Sequence, residues 1–124
     1  MRSINRAIRY MEEHLTEELS VEDVSNQAFS SSANFQRMFY LVTGITVGEY
    51  IRNRRLSQAG RDLLLARAKV VDVALKYQYN TPESFSKAFA RFHGVLPSEA
   101  GKCPGQLKYF FPLAIHISIQ GGFN

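Results

Sequence analysis

Gln36 and Arg37 stand side by side in the stretch "ANFQRMFYLVTG", and fifty residues later a second stretch, "ESFSKAFARFHG", puts Ser86 and Lys87 in the same places. An arginine fork pairs bidentately with the O6/N7 edge of guanine, and a glutamine amide with the N6/N7 edge of adenine. Each good pair discriminates by about 1–3 kcal/mol. Lys87 has the reach for a guanine or a phosphate, and Glu83 can accept from the cytosine amino group. These residue types suit the reading of base edges, provided that they share one exposed helix face.

Helical spacing supplies that face. With Phe35, Met38 and Phe39 turned inward, Ala33, Asn34, Gln36, Arg37 and Tyr40 fall on or near the outer side. In the second stretch the outward set is Pro82, Glu83, Ser86, Lys87 and Arg91. Other chemistry finds little support. His14, His93 and His116 lie far apart without metal-site spacing, and "GITVGEY" lacks the glycine-lysine ending of a phosphate loop. The expectation is no catalysis, no cofactor and no metal. The single cysteine, Cys103, sits in a "GKCPG" turn and reads as a free structural thiol.

The elements that must carry these residues read as helices through the first hundred positions. Ile4, Ala7, Ile8, Met11 and Leu15 recur at three and four, which predicts a first helix closing near His14. "LSVEDVSNQA" begins a short second helix capped by Ser20, with Val21, Val24 and Ala28 inward. Serines then open a third helix, about 31–42, that buries Phe35, Met38, Phe39 and Val42 and closes on Gly44. "VGEYIRNRRLSQAGRDLLLA" predicts a longer helix whose apolar positions, Val47, Ile51, Leu56, Ala59 and Leu63, fit the period imperfectly. Arg52, Arg54 and Arg55 crowd its polar side.

"KVVDVALKYQYN" repeats the second helix, with Val70, Val73 and Ala74 in the roles of Val21, Val24 and Ser25. "TPESFSKAFARFHG" repeats the third over about 82–92, with Thr81 and Pro82 as N-cap and first turn and His93 near its end. A short helix from Pro97 to about Lys102 closes the second copy. Beyond it Ile115, Ile117 and Ile119 alternate with polar residues at strand period, and one strand cannot fold alone.

Composition agrees with a small globular chain: 124 residues, 45% hydrophobic and 21% charged, suit one compact domain or two very small ones. No stretch approaches a membrane span, and the N-terminus alternates charge with apolar residues instead of carrying a signal core, so the expected location is cytoplasmic. The first 25 residues hold six of the eleven acids but only Arg2, Arg6 and Arg9 of the fifteen bases. The rest is strongly basic, which with a net charge of +4 favours an anionic partner.

Two short-helix, turn, long-helix units describe a duplicated helix-turn-helix. One recognition helix covers a few base pairs, and two in one chain would reach successive major grooves about 34 Å apart. Arg52, Arg54, Arg55, Tyr40 and Arg91, with the helix starts near Val21 and Val70, are then candidates for phosphate contact, which positions without specifying. The competing reading is a helical protein-interaction module that never touches DNA. Phe35, Phe39, Phe85 and Phe89 at helical spacing read as core, so they do not argue for it.

The stretches "FQRMFYLVTGITVGEYIRNRRLSQAGRDLL" and "VVDVALKYQYNTPESFSKAFARFHGVLPSEA" resemble the DNA-binding domain of AraC/XylS transcription regulators, over about residues 3 to 102 and most closely its Rob, MarA and SoxS group. The resemblance implies an all-α fold of about seven helices: units at about 3–46 and 66–102, a linker helix at about 47–65 and a short extended C-terminal segment. It implies base contacts at Ala33, Gln36, Arg37, Pro82, Glu83, Ser86 and Lys87, to which the exposed face adds Asn34. Double-stranded DNA is the implied partner, with RNA polymerase as a further candidate.

Close relatives carry tryptophan at the place of Ala33, glutamines at those of Pro82 and Glu83, and arginine at that of Lys87, so operator sequence does not transfer. Phe29 and Gln78 stand where the wider family usually has glycine. "FFPLAIHISIQGG" resembles the entry to a GyrI-like ligand-binding domain. Residues 103–124 are thus expected to be linker and the start of a truncated domain, through which alone a small-molecule effector would act.

Overall fold

A computed structural model describes residues 2–113. The alternating stretch around Ile115, Ile117 and Ile119 lies outside them. Among the described residues the chain is all-helical: α1 (Arg2–Glu13), α2 (Val21–Gln27), α3 (Ser32–Thr43), α4 (Val47–Leu65), α5 (Val70–Lys76) and α6 (Pro82–His93), then 3₁₀ segments at Pro97–Lys102 and Pro104–Gln106. It divides into two compact units. Within the described residues the first is built from 2–14, 19–47 and 112–113 and the second from 15–18 and 48–111.

In the first unit the stripe Ile4, Ala7, Ile8 and Met11 of α1 is buried, and α1 ends where the His14 ring donates from Nδ1 to the Tyr10 carbonyl at 2.7 Å. The Ser20 hydroxyl accepts the Asp23 N–H at 3.0 Å and Ser31 that of Asn34 at 3.2 Å, so both later helices start on side-chain caps. Val24, Ser25 and Ala28 of this helix-turn-helix are buried, as are Phe35 and Phe39. Ser25 stays satisfied there by donating to the Glu22 carbonyl at 3.1 Å.

The expected burial of Met38 and Val42 does not occur: they are 40% and 38% exposed. Phe35 and Phe39, one turn apart, already fill the narrow strip that α2 covers, and the two aliphatic side chains flank it.

In the second unit Leu56 and Ala59 of α4, Val73, Ala74 and Tyr77 from the α5 region, Phe85 and Phe89 of α6, and Ala100 form one core. Thr81 caps α6 by accepting the Ser84 N–H at 3.0 Å. Gly44 and Gly94 close α3 and α6 at φ 81° and 83°, each donating its N–H back to the fourth preceding carbonyl at 2.8 Å.

The turns of the two units close alike. Ser30 N–H bonds the Ser25 carbonyl at 3.2 Å and Tyr79 N–H the Ala74 carbonyl at 2.9 Å, which forces the residue before each into the left-handed region. Those residues are Phe29 at φ 54° and Gln78 at φ 72°, where a side chain costs about 1–2 kcal/mol that glycine avoids.

Residues 107–110, in the segment expected to be linker, pack on the second unit. Lys108 N–H donates to His93 Nδ1 at 2.9 Å, Phe110 N–H to Ser57 Oγ at 2.7 Å, and Tyr109 Oη to Gln58 Oε1 at 3.0 Å. Phe110 meets Tyr50 edge to face at 6.0 Å.

Candidate nucleic-acid interface

Burial of Phe35 and Phe39 turns the opposite face of α3 outward, and that face carries Ala33, Gln36, Arg37 and Tyr40, all exposed. Asn34 is exposed beside them and accepts a hydrogen bond from Arg37 Nη1 at 3.0 Å. That bond holds the guanidinium along the helix while leaving most of its five donors unused. On α6, burial of Phe85 and Phe89 exposes Pro82, Glu83 and Lys87 and half-exposes Ser86. Ser84 is exposed too, but its hydroxyl is turned back to the Thr81 carbonyl at 3.0 Å. Lys87 therefore stands out from α6 with polar neighbours of short reach.

The three arginines of α4 separate. Arg52 is exposed and joins Arg91 of α6 on the wall of a shallow cavity of about 340 Å³ whose other lining residues are Asn53, Leu56, Ala88 and Phe92. Two cations with no carboxylate in the lining suit an anion. Arg54 is a correction to the expected phosphate contacts: it is 2% exposed, donates from Nη1 to the Phe110 carbonyl at 2.7 Å, and lies over the Tyr109 ring. The Phe110 carbonyl, brought there by residues 107–110, gives a hydrogen-bond partner to a guanidinium that the helix period alone would send to solvent.

Arg55 is half-buried, donating from Nε to the Leu15 carbonyl at 2.8 Å and from Nη2 to that of Glu17 at 2.7 Å. Desolvation lowers its pKa below the ordinary arginine value. Its role within the unit is to tie residues 15–18 to α4.

Sequence reasoning also missed His93. Its ring is 2% exposed, with Nε2 on the Leu56 carbonyl at 2.8 Å and Nδ1 accepting from Lys108 N–H. That pairing assigns the neutral tautomer with hydrogen on Nε2. Burial pushes its pKa down and the Lys108 charge adds to this, against the opposing effect of the Leu56 bond. Among the described residues no group of three metal-ligating side chains occurs, and no helix is long and apolar enough to cross a membrane.

The family of the helix-turn-helix domain matches residues 24–102. The HTH-type transcriptional activator AarP of Providencia stuartii is 36% identical over 95 residues, covering 77% of this chain and 70% of that protein. The right origin-binding protein of Escherichia coli K12 is also 36% identical over 95 residues, but the match spans only 33% of its length. Among solved structures, the DNA-binding domain of AdpA, a global transcriptional factor crystallised in complex with a target DNA, superposes with a TM-score of 0.75 at 25% identity, over 84% of this chain and 95% of that one. An AraC-type regulator from Chromobacterium violaceum has the same fold, with a TM-score of 0.78 at 22% identity, over 85% and 94% of the two chains. With its two capped helix-turn-helix units and these matches, the chain belongs to the AraC-type helix-turn-helix family of DNA-binding transcription regulators.

Proposed function

We infer that this chain reads duplex DNA with α3 and α6 entering successive major grooves. Ala33, Asn34, Gln36 and Arg37 face the bases of one segment, and Pro82, Glu83, Ser86 and Lys87 those of the other. The observation that carries this reading is the exposed α3 face, where Gln36 and Arg37 stand together and Asn34 orients the arginine at 3.0 Å. Tyr40, Arg52 and Arg91 serve the phosphates, and the cavity lined by Arg52 and Arg91 offers an anion seat on the second unit. Arg54 and Arg55 are left out of that set, because their donors are engaged inside the unit. No catalytic step is assigned.

The α6 face offers fewer base-reading forks than the α3 face, so specificity is weighted toward the segment read by α3. Titration with random-sequence duplex at two salt concentrations, followed by selection of the tightest binders, tests the reading. Steeply salt-dependent binding that enriches two blocks one helical turn apart supports both helices as readers. A single block reduces α6 to a phosphate clamp, and absence of binding at low salt transfers the chain to the protein-interaction reading.

A further inference from the structure

The two helix-turn-helix turns share a strained position but treat it differently. At Gln78 the left-handed residue has a task inside its own unit, since its Nε2 donates to the Thr16 carbonyl at 2.8 Å. At Phe29 no such bond is made, and the ring is 78% exposed. A bulky aromatic held at positive φ and left in solvent is a poor choice for folding alone.

Among the described residues, the Arg6 guanidinium of α1 lies over this ring at 5.2 Å from the centroid. Arg6 and Arg9 are both exposed, three apart on α1 and thus on one side of it, and neither forms an ion pair among the described residues. Phe29 itself comes two residues before Ser31, whose hydroxyl caps the start of α3. In helix-turn-helix proteins the start of the recognition helix meets the base edges, so the turn just before it lies at the groove rim, beside the sugar-phosphate backbone.

We propose that Phe29 and Arg6 form a backbone contact site at that rim: the guanidinium, held on the ring, meets a phosphate, and the exposed part of the ring packs on the adjoining deoxyribose. The site rests on the DNA reading of α3 and extends its edge with residues from α1 and the turn. Arg6 needs no ordering on binding, because the aromatic plate already restricts it. A backbone contact adds affinity without adding sequence preference.

The test uses the full chain, with Phe29→Gly and Arg6→Gln beside the unaltered protein. Each is titrated with the selected duplex and with a random duplex across a salt series, and melting temperatures are recorded. Phe29→Gly should leave the melting temperature unchanged or raise it, while weakening both duplexes by the same factor, about 3- to 10-fold. Arg6→Gln should reduce the slope of log K against log salt by about 0.9.

Unchanged affinity and slope in both variants, with the unaltered protein binding normally, would overturn the site and leave the DNA reading standing. A loss confined to one base position, or one that only follows a lowered melting temperature, would also overturn it. Failure of the unaltered protein to bind any duplex at low salt would instead sink the DNA reading and this site with it.

Discussion

Arg52, Arg54 and Arg55 occupy a single turn of α4, and about 100° of rotation per residue sends them to three environments. Arg52 reaches solvent beside Arg91, Arg55 folds back on two carbonyls, and Arg54 is enclosed against the Phe110 carbonyl. Their alanine variants should therefore differ in kind. Arg54→Ala removes the donor to the part-buried Phe110 carbonyl and the packing of a buried side chain, and should lower unfolding free energy by about 1–3 kcal/mol, read from a urea denaturation midpoint. Arg52→Ala should keep that midpoint and instead reduce the salt slope of DNA binding by about 0.9. At the α3 face proposed to read bases, Arg37→Ala should relax preference at one operator position by about 1–3 kcal/mol, measured against duplexes varied base by base. An equal loss on every duplex would move Arg37 to the phosphate group.

The irregular apolar period of α4 has its cause in packing on two sides. Leu56 and Ala59 join the core with α5 and α6, while Arg54 and Ser57 are buried by bonding to residue 110. A helix that buries polar residues looks half-solvated to any count of apolar spacing. At Gly60 the missing side chain makes room for the His93 ring of α6: a Cβ there would stand 3.0 Å from His93 Nε2. His93 is bonded at both nitrogens and has little freedom to retreat, so Gly60→Ala should cost about 1–3 kcal/mol, seen as an earlier urea midpoint. Were His93 free to swing away, the same variant would be neutral or slightly stabilising through its better helix propensity.

For the chain as a whole, His93 couples stability to pH. Its unfolded value is 6.5 and burial lowers the folded one, so above pH 6.5 both states are neutral and stability is flat. As pH falls below 6.5 the unfolded chain takes up a proton that the folded ring refuses, and stability declines by up to about 1.4 kcal/mol per pH unit until the folded value is passed. His93→Gln, which can still accept and donate, should flatten denaturation midpoints compared between about pH 7.5 and pH 5. If the His93 protein is already flat across that range, this coupling is absent.

Much of this architecture could be read in advance from local signals. Ser20, Ser31 and Thr81 cap helices that begin where they predict, Gly44 and Gly94 end α3 and α6, and the Phe35/Phe39 and Phe85/Phe89 pairs mark the buried faces. Caps and periodicity depend on residues within about five positions, so the order of residues by itself determined them, whereas only the resemblance, through the glycines usual at those places, pointed to the left-handed turns at Phe29 and Gln78. Tertiary structure alone decided that Met38 and Val42 flank the core instead of entering it, and that Arg54 and His93 turn inward. Those outcomes depend on what a distant segment delivers. A carbonyl 56 residues along the chain captures Arg54, and a backbone N–H fifteen residues along captures His93, distances over which helical periodicity carries no information.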